Sequence, residues 1–113
     1  MQAVPLDVTQ ETVETAVLQS PLPVLLDFWA DWCPPCHMVS QWLIRLAPAY
    51  AGQLLVAKVD VTEDQTIAEQ FGVQSLPALL WLENGEVRHR QLDEINEGGL
   101  RQLVDKLLNK NEG

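Results

Sequence analysis

Residues 24 to 36 are VLLDFWADWCPPC, an apolar run that leads directly into two cysteines separated by two prolines. A short and nearly continuous apolar segment such as Val24–Phe28 is typical of a strand covered on both faces of a parallel sheet. After the cysteines, apolar residues recur at the i, i+3, i+4, i+7 spacing of an amphipathic helix, at Val39, Trp42, Leu43 and Leu46. We therefore predict a central strand followed by a helix, with both cysteines at the junction.

The rest of the chain supplies elements that complete an α/β fold. The predicted strands cover residues 54–59, 78–82 and 87–92, and a hairpin turn at Asn84-Gly85 joins the last two. A first helix is expected to be capped by Thr9 and to carry Val13, Ala16 and Val17, and a short helix is expected at 65–71. A closing helix carries the apolar residues Leu100, Leu103, Val104, Leu107 and Leu108. The strand, helix and strand of residues 24–59 form a right-handed βαβ unit, and the polar last strand is expected at an edge. This predicts a central mixed β-sheet of four or five strands, flanked by helices on both faces. Residues 109–113 are expected to fray.

Composition and charge limit the classes of partner. The 113 residues are 47% hydrophobic and 20% charged, as expected for a single folded domain over residues 1–113. The net charge of −9 disfavours nucleic acids and anionic membranes as partners. No segment approaches the ~20 apolar residues that span a bilayer, and the N-terminus lacks the basic start and apolar core of a signal peptide. We expect a cytoplasmic monomer.

Cys33 and Cys36 are the only cysteines, so a disulfide within the chain can join only these two. At the start of a helix, free backbone N–H groups and the helix dipole favour the thiolate of Cys33, which is the form that attacks disulfides. Cys36, one turn further into the helix, is placed to attack the mixed disulfide and release the product. The pattern predicts thiol–disulfide exchange.

Four segments match a known family in the right order. They are residues 27–33, residues 56–60, residues 76–80 with the dipeptide Leu76-Pro77, and residues 84–87. On these segments the chain resembles the thioredoxin family over essentially its whole length. The resemblance implies a thioredoxin fold and protein disulfides as substrates, with Cys33 as the nucleophile and Cys36 as the resolving thiol. No metal and no organic cofactor is implied.

The resemblance also implies roles for residues around the cysteines. Pro77 is expected to be a cis residue that flanks the disulfide and helps to bind the substrate chain. Asp27, assisted by Lys58, is expected to be a buried proton acceptor for Cys36. The residues expected to contact substrate are Trp32, Pro34, Pro35, Leu76, Pro77 and Asp93.

The role of Asp27 also has an argument of its own. A carboxyl group inside the apolar run 24–28 is expected to be desolvated, which raises its pKa and lets it exchange protons near neutral pH. The alternative is a solvent-facing Asp27, because aspartates are mostly exposed.

Four residues depart from the family pattern. One of them, Gln41, stands where the family often has a proline that kinks the active-site helix, so we expect a straighter helix. Pro34 replaces the usual glycine, so neither residue between the cysteines has an N–H to donate to the Cys33 sulfur, and the stiff Pro-Pro pair favours the disulfide. His37 replaces a lysine and favours the Cys33 thiolate when it is protonated. Asp93 stands where a glycine usually lets a partner's backbone approach, so we expect it to exclude some partners, and recognition by thioredoxin reductase stays open. The redox poise stays open as well.

Four tryptophans invite a separate interpretation as a binding surface. Trp42 and Trp81 lie at periodic apolar positions and are expected in the core. Trp29 and Trp32 approach the cysteines and are expected to shape the substrate groove.

Other functions fit parts of the sequence. Residues 33–37 match the CxxCH pattern of covalent haem attachment, but the βαβ context argues against it. The side chains available to zinc are Cys33, Cys36, His37 and His89, and their poor ligand geometry argues against a zinc site. The rival from another class is a thioredoxin-fold binding or co-chaperone module in which redox activity is secondary.

Overall fold

The computed structural model describes residues 2 to 110 and contains five strands and four helical segments. The strands are β1 (Leu6–Asp7), β2 (Val24–Trp29), β3 (Leu55–Asp60), β4 (Ala78–Glu83) and β5 (Glu86–Gln91). The helices are a π-helical turn (Glu14–Leu18), α1 (Pro34–Ala49), α2 (Thr66–Gln70) and α3 (Glu97–Lys110). Among these residues, no helix is both long and apolar enough to cross a membrane.

The five strands form one mixed sheet in the order β1-β3-β2-β4-β5. β1 and β2 both pair with β3 in parallel, whereas β4 is antiparallel to β2, and β5 is antiparallel to β4. Asp27 is level with Lys58 on one neighbouring strand and with Leu79 on the other. The predicted βαβ unit, the central position of β2 and the edge position of β5 are confirmed.

Two apolar clusters cover the two faces of the sheet. One joins Phe28 and Leu80 of the sheet to Val17 of the π-helical turn and Ile67 of α2. The other joins Trp81 of the sheet to residues of α1 and α3, which include Leu43, Leu46, Leu100 and Val104. Helices therefore pack on both faces, as the sequence predicts. Trp81 is fully buried, but Trp42 is only half-buried, so the expectation of a core Trp42 is met in part.

The N-terminal segment differs from the sequence prediction. The helix expected to be capped by Thr9 begins only at Glu14, as a π-helix without a side-chain cap. Before it, the Thr9 backbone N–H donates to the Thr12 hydroxyl at 3.0 Å, and the Val13 N–H donates to the Thr9 carbonyl at 2.9 Å. The Ala16 N–H also donates to the Thr12 carbonyl at 2.8 Å, so the turn at residues 9–13 runs directly into the π-helical turn. The Thr12 hydroxyl satisfies the Thr9 N–H at the start of this turn. At the other end α3 continues through Lys110, so the fraying expected over residues 109–113 is wrong for residues 109 and 110. Residues 111–113 lie outside the described residues.

The predicted hairpin at Asn84-Gly85 joins β4 to β5. Asn84 has φ +54° and Gly85 has φ +79°, as two-residue hairpin turns of the favoured type require. The turn also packs against the rest of the fold, because a Cβ at position 85 would lie 2.9 Å from the carbonyl oxygen of Leu18. Gly85 is therefore required both by its backbone conformation and by the space around it.

Candidate active site

The two cysteines form a disulfide at the N-terminus of α1. Cys33 is the N-cap residue, Pro34 and Pro35 fill the first two helical positions, and the Cα atoms of Cys33 and Cys36 are 5.3 Å apart. Proline suits these positions because the first N–H groups of a helix have no partner within it. The N–H of Cys36 donates to the Cys33 sulfur at 3.3 Å. One backbone donor therefore reaches that sulfur even though both intervening residues lack an N–H.

Burial separates the two sulfurs. Cys33 keeps 4% of its surface exposed, while Cys36 is fully buried in the cluster that contains Phe28. Trp32, directly before Cys33, is strongly exposed. The small exposed part of the disulfide therefore belongs to Cys33 and lies next to Trp32 in the chain.

The Leu76-Pro77 peptide bond is cis, as expected for this segment. Pro35, Pro77 and the exposed Asp93 line one groove, and Trp32 and Leu76 line a separate hollow. Five of the six residues expected to contact substrate therefore line one of these two surfaces. The sixth, Pro34, lines neither of them and is the first residue of α1, between Cys33 and Pro35.

Asp27 lies in the interior of the sheet with no exposed surface, so the alternative of a solvent-facing carboxylate is wrong. Neither carboxyl oxygen has a hydrogen-bond partner among the described residues. Burial raises the pKa of Asp27 from 3.8 to about 7, and the positive charge of Lys58 opposes part of that rise. The carboxyl group is therefore poised to gain or lose a proton near neutral pH.

Lys58 and Trp29 lie next to this carboxyl group. The Lys58 ammonium lies 5.1 Å from the centroid of the Trp29 ring, within the range of a cation–π interaction. Trp29 and Lys58 line a hollow on the β1 side of the molecule, which is a different surface from the groove at Pro77. The Trp29 side chain packs beside Lys58, away from the groove lined by Pro77, and the expectation that it shapes the substrate groove stays a prediction.

The His37 side chain, in the first turn of α1, is held by a hydrogen bond and by a contact with an aromatic ring. Its Nε2 lies 2.8 Å from the carbonyl oxygen of Asp31, and a carbonyl can only accept, so Nε2 carries the hydrogen. The imidazole ring also meets the edge of the Trp29 ring, with the ring centroids 6.1 Å apart. Within the described residues no hydrogen bond joins His37 to either sulfur, and its predicted effect on Cys33 stays a prediction.

Sequence reasoning missed several residues beside the disulfide. Met38, Trp42, Leu92 and Ile95 form the apolar lining of the groove that begins at Pro35 and Pro77. The available signal was that large apolar residues stand at positions that neither the helix spacing nor the strand alternation of apolar residues would bury. Met38 follows the cysteines outside the apolar stripe of α1, and Leu92 follows the last residue of β5.

The comparisons with known proteins agree with this geometry. The family model Thioredoxin matches residues 4–106. The chain belongs to the thioredoxin family. It is 38% identical over 101 residues to the thioredoxin of Haemophilus influenzae, which covers 89% of this chain and 94% of that protein. It is 36% identical over 106 residues to thioredoxin C-2 of Corynebacterium nephridii, with 94% and 98% covered.

A third thioredoxin, thioredoxin 1 of Chlorobaculum tepidum, is 39% identical over 98 residues, which are 87% of this chain and 97% of that protein. The predicted thioredoxin fold and α/β class are confirmed. Family membership and the Cys33–Cys36 disulfide make the chain a thiol–disulfide oxidoreductase.

Proposed function

We propose that this thioredoxin reduces disulfide bonds of other proteins, with Cys33 as the entry point for the substrate sulfur. The Cys33 thiolate attacks one substrate sulfur and expels the other as a thiolate, which leaves a mixed disulfide. The Cys36 thiolate then attacks Cys33, releases the second substrate thiol and closes the Cys33–Cys36 disulfide. Two electrons pass from the protein to the substrate, and the two sulfurs carry them without a metal or an organic cofactor.

The observation that carries the proposal is the position of the disulfide at the N-terminus of α1, with Cys33 as the N-cap residue and Cys36 one turn further into the helix. Cys33 keeps 4% of its surface exposed and follows the strongly exposed Trp32, whereas Cys36 keeps none, so Cys33 is the sulfur that meets the substrate in this proposal. Cys36 must lose its proton in an interior where water is scarce, and Asp27, with a pKa raised by burial to about 7, is the proton acceptor in this proposal. Lys58, level with Asp27 in the sheet, stabilises the carboxylate that results.

The surface around Cys33 supports the binding roles assigned to its neighbours. Trp32 precedes Cys33, and Pro34 and Pro35 separate the cysteines. Pro77 lines a groove with Pro35, and Leu76 lines a hollow with Trp32. We assign these five residues to contact with the substrate backbone, and Asp93 to partner selection.

The cellular setting is also proposed. We place the protein in the cytoplasm as a single-domain monomer that is re-reduced by a thioredoxin reductase. Support for this setting comes from the net charge of −9 and from the relatives named thioredoxin. Transfer of electrons from NADPH through a purified reductase tests the reductase step, and no turnover would contradict it.

Reduction of insulin disulfides by the dithiol form tests the main proposal. We expect turnover by the unaltered protein and none by Cys33→Ser, whereas Cys36→Ser should stop at a stable mixed disulfide with the insulin chain. Equal turnover by the unaltered protein and by Cys33→Ser would instead favour the binding or co-chaperone alternative. Equilibration of the Cys33–Cys36 pair with glutathione then decides whether reduction or oxidation is the favoured direction.

A further inference from the structure

An apolar groove with acidic residues at its rim extends from the disulfide along the outer face of α1. It has a volume of about 300 Å³, and it lies between α1, the cis-proline segment and the chain that leaves β5. Its defining residues, together called the acidic groove, are Pro35, Met38, Trp42, Pro77, Leu92, Asp93, Glu94 and Ile95. A second hollow continues from it past Met38, Trp42 and Glu94.

Most residues that line the acidic groove are apolar, and two of them are large and strongly exposed. Met38 is 59% exposed and Leu92 is 51% exposed, and both belong to the small set of large apolar side chains that the fold leaves in solvent. Trp42 adds the half-buried face of an indole ring. A concave, mostly apolar surface with a few polar groups at its rim is typical of ligand-binding sites.

The charges at the acidic groove are all of one sign. Asp93 and Glu94 are the only charged residues in its lining, and both side chains are exposed. The ion pairs among the described side chains are Arg45–Glu97 and Arg88–Glu86, so neither acid is neutralised by one. An occupant that brings a positive charge gains from two nearby carboxylates, and an acidic occupant is repelled.

We propose that the acidic groove selects substrate segments in which a lysine or arginine neighbours an apolar side chain close to the reacting cysteine. The apolar side chain packs between Met38, Trp42 and Leu92, and the cation reaches Asp93 and Glu94. Since Pro35 and Pro77 line the end of the groove nearest the disulfide, a chain bound there presents its own disulfide to Cys33. This inference rests on the proposed disulfide reduction and adds a substrate class to it.

Symmetric disulfide-linked peptide dimers test the charge preference, because attack on either sulfur is then equivalent. In three of the dimers, both peptides carry Leu beside the cysteine. These three differ only in the residue after Leu, which is Lys, Gln or Glu in both peptides. The second-order rate constant for oxidation of the reduced protein is measured by acid quenching and chromatography. Rates with dithiothreitol, which has no groove, correct for the intrinsic reactivity of each dimer.

We expect the Lys dimer to react about tenfold faster than the Glu dimer at low ionic strength, with the ratio falling as salt is added. In Asp93→Asn/Glu94→Gln the ratio should fall to threefold or less. The matched control is Glu14→Gln/Glu86→Gln, which removes the same charge at exposed positions outside the lining of the acidic groove and should keep the ratio. A fourth dimer with Ser in place of Leu should react several-fold more slowly than the Lys dimer with Leu.

The outcomes separate this inference from the function on which it rests. Equal corrected rates for all dimers, or an equal fall of the ratio in both double variants, would overturn the selection by the acidic groove while leaving disulfide reduction intact. No oxidation by any dimer would contradict the proposed function itself. Formation of dimers of the protein that block the groove, seen by sedimentation at the assay concentration, would assign the surface to a second copy and also overturn the inference.

Discussion

Asp27 and Lys58 are directly opposite each other across the parallel strands β2 and β3, yet the Lys58 ammonium lies over the Trp29 ring. The carboxyl group is left without a hydrogen-bond partner among the described residues. Its charge is therefore stabilised only by the field of Lys58, which does not offset the burial. This arrangement keeps the pKa of Asp27 at about 7.

The first prediction concerns the stability of Asp27→Asn. Because the pKa of Asp27 is about 7 in the folded protein and 3.8 as the ordinary value, the folded state binds more protons than the unfolded chain between these pH values. The free energy of unfolding therefore falls as the pH rises from about 4 to 7, by at most ~4 kcal/mol. The amide cannot ionise, so urea denaturation of the oxidised proteins should show Asp27→Asn as the more stable one at pH 8. At pH 4 the two should agree within ~1 kcal/mol, and an equal gain at both pH values would contradict the account.

Removal of the Lys58 charge should raise the pKa of Asp27. Lys58 lowers the pKa of Asp27, so Lys58→Met should raise that pKa further above 7. The chemical shift of the Asp27 carboxyl carbon, followed by NMR across pH, measures this directly. Lys106→Met, an exposed position on α3, is the control with the same loss of charge and should leave the titration in place. A lower or unchanged midpoint in Lys58→Met would show that another group governs Asp27.

The proline at the second helical position should limit the reactivity of Cys33. A capping side chain accepts from the N–H of the second or third helical residue, and here only the third, Cys36, has one. Pro35→Ala supplies the missing donor, so the reduced variant should react with iodoacetamide at pH 7 about threefold to tenfold faster than the unaltered protein. Pro34→Ala changes the first position, whose N–H does not face the cap, and should have a much smaller effect. A larger effect from Pro34→Ala would point to loop stiffness rather than to the missing donor.

Gly85→Ala should destabilise the hairpin and its contact with the N-terminal segment. The added Cβ would meet the Leu18 carbonyl oxygen at 2.9 Å, and the backbone at position 85 has φ +79°. Strain and contact together should cost more than ~2 kcal/mol in urea denaturation. Gly52→Ala provides the comparison, since φ is +86° there but nothing lies within 4 Å of the new atom, and about 1 kcal/mol is expected. Equal losses would show that the Leu18 contact adds nothing.

Periodicity and turn chemistry were sufficient for most of the fold. The apolar runs of β2, β3 and β4 and the amphipathic stripe of α1 are strong local signals, and the cysteine pair has only one pairing. The two residues of β1 carry no such signal, because they are held by pairing with Ala57 and Lys58 on a strand fifty residues away in sequence. The π-helical hydrogen bonding of Glu14–Leu18 likewise has no signal in the spacing of apolar residues.

Features of the site that depend on residue type were predictable from the sequence, whereas those that depend on side-chain orientation were less so. The burial of Asp27 was expected from its apolar neighbours in the strand. That Trp29 points toward Lys58, and that His37 donates to the Asp31 carbonyl, follows from side-chain orientation at the end of β2. The acidic groove was missed because its apolar lining is assembled from α1 and from the chain after β5.

Because the Cys36 side chain has no exposed surface, other proteins exchange electrons with this one through Cys33. Any protein that delivers electrons must approach the same few atoms as any protein that withdraws them, so donors and acceptors compete and never bind together. A change at the approach to Cys33 that alters the choice of substrate therefore also alters the choice of reductant.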